Sequence, residues 1–119
     1  MKRKSVGLAL AAILAASMGM SAMAADSYLV GFANNSDTYN YCAKFRTHLK
    51  EATEAEGIDI RVTDAGGDTN VQNGQIDDFI VQNANAVSAI SNDLDGSVPA
   101  LKAAKDAGIP YISFLTTVS

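Results

Sequence analysis

The stretch YLVGFANNSDTYNY, residues 28–41, decides the fold because its character changes halfway along. Residues 28–33 form a continuous apolar run of strand length, and such runs are typical of a strand that is covered on both faces. From Asn34 onward the stretch is polar apart from two tyrosine rings. The pattern therefore predicts a buried strand followed by a polar loop that leads into a helix.

The same alternation of strand and helix continues along the chain. Apolar residues recur at three- and four-residue spacing through Cys42, Phe45 and Leu49, which indicates an amphipathic helix. Short connections in such an order favour a parallel sheet with right-handed crossovers. The expected fold class is α/β, a three-layer, doubly wound parallel sheet of the flavodoxin-like type. The predicted strands are 28–33, 58–64, 86–91 and 111–115, and the predicted helices are 37–56, 70–83 and 97–108. The residues expected to face inward from the second helix are Val71, Ile76, Phe79 and Ile80.

The connections from strand to helix are longer and more polar than those from helix to strand. They read NNSDT after the first strand, DAGGDTN after the second and NDLDG after the third. In a parallel sheet all three lie at the carboxyl edge of the strands, where open α/β folds bind ligands. The sequence therefore predicts a ligand-binding rim at this edge.

Five aspartates lie on the predicted rim, and they have more than one interpretation. Asp37, Asp68 and Asp95 stand just ahead of predicted helices, so they are candidate helix N-caps as well as candidate ligand groups. Asp64 and Asp93 lie nearer the strand ends and are freer to face a ligand. The spacing of these carboxylates does not match a calcium-binding loop, and we expect no metal or other cofactor.

The two tyrosines of the first loop also have two interpretations. Tyr39 or Tyr41 either packs over the first helix or stacks on the apolar face of a ring-shaped polar ligand, whose hydroxyls then bond nearby Asn and Asp side chains. His48 falls among charged neighbours and is interpreted as a solvated surface residue. Cys42 shares the helix phase of Phe45 and is interpreted as a buried small apolar residue.

Residues 1–24 have the pattern of a secretory signal peptide. Three cations in MKRK precede an alanine-rich apolar segment, and Ala22 and Ala24 frame a cleavage site. The segment is too short and too rich in alanine for a good membrane span. The sequence therefore predicts export, and its single cysteine leaves no possibility of an internal disulfide.

Charge and missing motifs exclude several classes of function. The chain has 9 basic and 13 acidic residues, and loss of the signal peptide removes three of the basic ones. This acidic excess argues against nucleic acid as a partner. The sequence contains no dinucleotide-binding glycine pattern, no phosphate-binding loop and no nucleophile elbow. With one histidine and one cysteine, both on the first helix, it offers no nucleophile–base pair, and we predict that the chain is not an enzyme.

In this order the elements resemble the N-terminal lobe of bacterial periplasmic sugar-binding proteins of the ribose and galactose type. The resemblance runs from Tyr28 to the end of the chain. Its most specific part is the spacing of Asp64, Asp68 and Gln72. The segments that carry it are DAGGDTNVQNGQIDDFI at 64–80, ND at 92–93 and KAAKDAGIP at 102–110.

The resemblance implies a type 1 periplasmic binding fold, in which two lobes close on a sugar and deliver it to a membrane ABC permease. Some members also deliver it to a chemoreceptor, and the complete protein is expected to be a monomer in the periplasm. Residues 25–119 would form the N-terminal lobe alone, truncated after the fourth strand. The ligand-binding residues implied by position are Asn35, Asp37, Tyr39, Asn40, Tyr41, Asn92 and Asp93.

Two departures from the family pattern keep other interpretations open. Many relatives carry Asp or Asn and then a basic residue where this sequence has Leu115-Thr116, so a pyranose ligand is not assured. The first loop and helix are also longer than in the ribose type. The alternatives are an exported α/β enzyme and a ligand-sensing receptor domain of the same fold. A LacI-type regulator would begin with a basic helix-turn-helix instead of a signal peptide.

Cleavage after Ala24 should leave a mature protein that begins at Ala25 or Asp26, because the three regions of a signal peptide occur in order. N-terminal sequencing of the exported material measures this. A membrane-bound product that retains Met1 would contradict the prediction.

Overall fold

The computed structural model describes residues 27–115, so the predicted signal peptide lies outside the described residues. Strands and helices alternate in the predicted order. The strands are β1 (Leu29–Asn34), β2 (Asp59–Asp64), β3 (Ala86–Ala89) and β4 (Tyr111–Ser113), and the helices are α1 (Asn40–Ala55), α2 (Thr69–Val81) and α3 (Val98–Asp106). Within residues 27–115 no helix has the length and apolarity that crossing a bilayer requires.

The four strands form one parallel sheet in the order β2-β1-β3-β4. Alternate side chains of β1 face opposite layers, as the pleat requires. Phe32 packs with Cys42 and Phe45 of α1, whereas Ala33 packs with Phe79 of α2 and with α3. One helix thus covers one face and two helices cover the other, which confirms the three-layer, doubly wound α/β fold.

Glycines follow the ends of two helices, and an aspartate side chain caps the start of a third. Gly57 and Gly108 follow the last residues of α1 and α3 with φ of 73° and 70°, a left-handed conformation that favours glycine. Asp68 accepts hydrogen bonds from the backbone N–H groups of Asn70 and Val71, and so acts as the N-cap of α2. The prediction that Asp68 is a cap is therefore confirmed.

Several details of the predicted pattern are wrong. β3 ends at Ala89, two residues before the predicted end, and α1 begins at Asn40, three residues after the predicted start. Val71 was expected to face inward from α2, but 46% of its surface is exposed, and the inward position is held by Gln72. The fourth strand ends at Ser113, and Leu115 lies beyond it with φ of 68°. Cys42 is buried and His48 is exposed, as predicted.

Gly31 lets α2 approach the centre of the sheet. A Cβ atom at this position would lie 2.2–2.7 Å from three ring carbons of Phe79, far inside van der Waals contact. The ring of Phe79 therefore occupies the space above β1 that a side chain would otherwise fill. The close packing of α2 on β1 therefore requires a residue without a side chain at position 31.

Gly31→Ala should destabilise the protein by about 3 kcal/mol, because neither the strand nor the buried ring can move without opening the core. Urea denaturation monitored by circular dichroism measures the change. Phe79→Leu should recover part of the loss in the double variant, since it removes ring atoms from the contact.

Gly74→Ala is the matched control. Gly74 lies in α2, and apart from its chain neighbours and the backbone of its own helix no atom lies within 4 Å of the place that an alanine methyl group would take, so alanine there should stabilise the helix by about 0.5–1 kcal/mol. Equal stability of Gly31→Ala and the wild type would show that α2 does not pack on β1 at this distance.

Candidate functional site

The candidate site lies at the carboxyl ends of β1 and β3, which are neighbours in the sheet. The loop after β1 leads to α1 on one face, and the loop after β3 leads to α3 on the other. Adjacent strands whose connections leave in opposite directions form a topological switch point, where open α/β folds bind ligands. The sheet thus brings the first and third polar loops together.

Asn35 and Asn92 lie on the two sides of this switch point, and both are half-buried. The Asn35 Nδ2 group donates to the carbonyl oxygen of Ser91 at 3.5 Å, which links the two loops. Several side-chain atoms at this point are buried and have no hydrogen-bond partner within residues 27–115. They include the acceptors Asn34 Oδ1 and Asn35 Oδ1 and the donor Asn92 Nδ2.

Gln72 projects from α2 beneath the two loops, and its residue surface is only 1% exposed. Its Nε2 group donates to the carbonyl oxygens of Ala33 at 3.0 Å and Ile90 at 2.8 Å. Its Oε1 atom accepts from the backbone N–H of Asn92 at 3.2 Å. One side chain therefore uses both donor hydrogens and its oxygen to join the ends of β1 and β3.

The loop after β2 is tied to the loop after β1. The Asp64 Oδ1 atom accepts from the N–H groups of Gly66 at 2.9 Å and Asp37 at 3.3 Å. The N–H of Gly67 donates to the carbonyl oxygen of Asn35 at 3.0 Å. Gly66 and Gly67 have φ of 60° and 81°, so this tight turn depends on two consecutive residues without side chains.

Asp37 is held inside the first loop by a network of side chains. Its Oδ1 atom accepts from Asn34 Nδ2 at 2.7 Å, and its Oδ2 atom lies 2.5 Å from Arg46 Nη1. Asn34 is fully buried and also donates weakly, at 3.4 Å, to the carbonyl oxygen of Cys42. The carboxylate of Asp37 thus joins the end of β1 to the second turn of α1.

The interpretation of Asp37 and Asp95 as helix N-caps is wrong. α1 begins three residues after Asp37, with Tyr39 as the preceding residue and no side-chain cap. α3 follows Ser97, also without a side-chain cap. Asp93 Oδ1 instead accepts from the N–H groups of Asp95 and Gly96 at 3.0 and 3.2 Å, so Asp93 holds its own turn.

Tyr39 ends the first loop, Asn40 and Tyr41 begin α1, and all three are exposed. The ring of Tyr41 stacks on Phe45, with centroids 6.3 Å apart and planes inclined by 22°. No such ring contact is found for Tyr39 within residues 27–115, and 58% of its surface is exposed. Both rings are similarly exposed, since 56% of the Tyr41 surface is in solvent, but only Tyr41 also contacts a ring of α1.

A well-formed concavity in the described part of the chain lies elsewhere. It has a volume of about 450 Å³ and lies between α1 and the edge strand β2. Its lining consists mostly of long charged side chains on the helix surface, and Arg46, Lys50 and Glu54 among them are already in ion pairs. The lining residues are Arg46, Thr47, Lys50, Glu51, Glu54 and Val62.

The loops at the switch point carry carboxylates and amides, and the guanidinium of Arg46 is paired with the carboxylate of Asp37. Across residues 27–115 no group of three or more His, Cys, Asp or Glu side chains is arranged to hold a metal ion. Below the rim, burial raises the pKa of the Tyr111 hydroxyl, and the nearby Ser91 side chain partly lowers it. The phenol is therefore neutral at physiological pH.

Sequence reasoning missed three residues that shape the site. Gln72 was named from the sequence only as part of a motif. Its spacing from Ile76 and Phe79, the other buried residues of α2, is the signal that could have shown it to face inward. Asn34 was assigned to the loop, yet it is the buried last residue of β1. Arg46 gave no signal, because its partner Asp37 lies nine residues earlier and meets it only through the fold.

Comparison with known proteins gives a family match and a group of solved structures. The family model described as "Periplasmic binding protein domain" matches residues 30–117. It describes binding domains, in line with the prediction that the chain is not an enzyme. Among curated proteins, none matches the sequence.

Three solved structures share the fold. An ABC transporter solute-binding protein from Mycobacterium smegmatis with bound glycerol is 26% identical, with a TM-score of 0.75 over 78% of this chain and 32% of that one. The binding component of the arabinose ABC transporter from Shewanella sp. ANA-3, bound to L-arabinofuranose, is 27% identical, with a TM-score of 0.68 over 75% and 31%. A Mycobacterium smegmatis protein in complex with β-D-fucofuranose is 26% identical, with a TM-score of 0.69 over 73% and 29%. The matched part of each relative is thus under a third of its length.

Asp37 and Arg46 should show a measurable coupling energy of about 0.5–1 kcal/mol in a double-mutant cycle of Asp37→Asn and Arg46→Met. The pair is only partly exposed, at 27% and 40% of the two side chains, so solvent screens it incompletely. Urea denaturation of the four proteins gives the coupling energy.

The exposed pair Lys102 and Asp106 is the matched control, with 71% and 63% of the side chains in solvent. Its coupling should be about 0.3 kcal/mol, as for exposed helix pairs. A coupling for Asp37 and Arg46 no larger than this control would mean that the loop does not depend on the pair.

Proposed function

Because the chain belongs to the periplasmic binding protein domain family, we propose that it is the solute-binding component of an ABC sugar importer. Two of the structural relatives hold furanose sugars, and two are parts of ABC transporters. The proposed ligand is a monosaccharide bound at the switch point. The chain covers under a third of each relative, so the proposal extends from one lobe to a complete receptor.

The observation that carries the proposal is the pair of unpartnered amide atoms at the switch point. Asn35 Oδ1 can accept a hydrogen bond, and Asn92 Nδ2 can donate one. A sugar hydroxyl both donates and accepts, so adjacent hydroxyls can satisfy both atoms. A buried polar atom without a partner costs about 1–3 kcal/mol, which a bound ligand would recover.

Tyr39 and Asn40 supply the remaining contacts of the proposed wall. A sugar ring has apolar C–H faces and polar edges, and an exposed phenol ring offers both kinds of contact. Tyr39 is the stacking candidate because Tyr41 already packs on Phe45. Asp37 contributes through the loop conformation it holds, because Asn34 and Arg46 engage its two oxygens. Asp93 holds its own turn through Oδ1, and its second oxygen is available to ligand hydroxyls.

The wider role follows from the family and the predicted signal peptide. The protein is proposed to act in the periplasm after cleavage behind Ala24 and to pass its sugar to a membrane ABC permease, with a chemoreceptor as a second partner. A single lobe forms one wall of such a site. Residues 25–119 alone should therefore bind sugar weakly, because the hydrogen bonds of the facing wall are lacking.

Titration of the protein with L-arabinose, D-glucose or D-allose should shift the NMR signals of Asn35, Asn40 and Asn92 in the millimolar range. Asn92→Ala should weaken this binding about tenfold, since it removes one hydrogen-bond donor. Tyr39→Ala should weaken it about fivefold by removing the stacking ring.

Tyr28→Ala is the matched control, because Tyr28 is similarly exposed but precedes β1 at the opposite edge of the sheet. It should leave sugar binding unchanged. Shifts spread evenly over the surface, or equal losses in Tyr39→Ala and Tyr28→Ala, would count against a sugar site at the switch point.

A further inference from the structure

We propose that the motif of Asp64, Asp68 and Gln72 positions the binding rim, with Gln72 as its central positioning residue. These side chains bond to the backbone of the three strand-to-helix loops and the helix that carries them. In this proposal they need not touch the ligand, and they set the distance between the groups that do. The expected effect on sugar binding rests on the proposed function, whereas the positioning of the loops does not.

Gln72 fixes the third loop relative to the first strand. The backbone N–H of Asn92 has the Gln72 oxygen as its partner at 3.2 Å, and the same amide group is anchored to β1 through Ala33. A planar amide with three hydrogen bonds has no freedom to rotate. The start of the third loop is therefore held at a fixed distance from the end of β1.

Asp64 fixes the second loop relative to the first. Its Oδ1 atom accepts from Asp37 of the first loop and from Gly66 of its own loop. Two backbone bonds reinforce this link, from Ala65 to Asn34 and from Gly67 to Asn35, both at 3.0 Å. The backbone of Asn35 is thus held from the side of β2.

Asp68 completes the framework by starting α2. Its Oδ1 atom accepts from the N–H groups of Asn70 and Val71 at 2.8 and 3.1 Å. The first turn of α2 is thereby fixed immediately ahead of Gln72. The four-residue spacing from Asp64 to Asp68 and from Asp68 to Gln72 places one anchor at the end of β2, one at the helix start and one inside the core.

The consequence concerns the two unpartnered amides. Asn35 is held through its carbonyl oxygen by Gly67 and through its side chain by Ser91, while Asn92 is held by Gln72. A ligand that bridges Asn35 Oδ1 and Asn92 Nδ2 requires both at once. Loss of the Gln72 amide should therefore weaken binding even though Gln72 lies beneath the rim.

Gln72→Met tests the proposal, because methionine keeps the length of the side chain and loses every hydrogen bond. Amide hydrogen exchange should accelerate at Asn92 by about tenfold, and sugar affinity measured with L-arabinose should fall by a similar factor, each corresponding to one lost hydrogen bond. Both effects should exceed what the change in melting temperature predicts.

Gln75→Met is the matched control on the same helix. Gln75 also makes two hydrogen bonds, with the Thr63 hydroxyl and the Asp64 carbonyl oxygen, both at 2.9 Å, but none to the third loop. It should lower stability without accelerating exchange at Asn92. Equal acceleration in both variants would overturn the proposal, because the effect would then be general loss of stability.

Asp64→Ala keeps the proposal testable if Gln72→Met does not fold, because Asp64 is exposed and its loss leaves the core intact. It should accelerate exchange at Asp37 and Gly66, and unchanged exchange at both would overturn the proposal. Faster exchange at Asn92 in Gln72→Met with unchanged sugar affinity would also overturn it. Faster exchange in a protein that gives no response to sugar would support the positioning role and refute the proposed function.

Discussion

The buried amide of Gln72 is the interaction on which the carboxyl edge of the sheet depends. At a switch point the strands stop and their connections diverge, so terminal carbonyl groups lose the neighbouring strand as a partner, and each unpaired buried group costs about 1–3 kcal/mol. Gln72 resolves this for β1 and β3 together, because its two N–H groups reach Ala33 and Ile90. Its remaining oxygen accepts from Asn92, so the contact that completes the core also begins the third loop.

This amide reaches the strand ends only because α2 lies close to the sheet. Phe79 follows Gln72 by two helical turns on the same face, and its ring fills the space over Gly31. A side chain at residue 31 would push the helix outward and lengthen every bond that Gln72 makes. The smallest residue of β1 and the buried polar residue of α2 therefore belong to one packing arrangement, although 41 positions separate them in the sequence.

The sequence predicted the elements well because hydrophobic periodicity reflects burial directly. It failed at Val71 for the same reason, since a rule that assigns apolar residues to the core cannot foresee that Gln72 takes the inward position next to it. The prediction that Asp37 caps the first helix was wrong because α1 begins only at Asn40, three residues after Asp37. Pairing with Arg46 is tertiary, so no local rule could reveal it.

The rim loops show the same limit in the candidate site. The sequence predicts that polar residues gather at the carboxyl edge of the sheet. It cannot distinguish the side chains that bond to the loop backbone from those that keep an atom without a hydrogen-bond partner. Asp64 and Asp93, which looked free, each use an oxygen to fix backbone N–H groups. Two of the unpartnered atoms belong instead to Asn35 and Asn92, whose backbones are already held by other bonds. An atom can stay at a fixed position without a partner of its own only when neighbouring groups hold the main chain of its residue, so the bonds that fix these loops are a condition for the candidate ligand contacts.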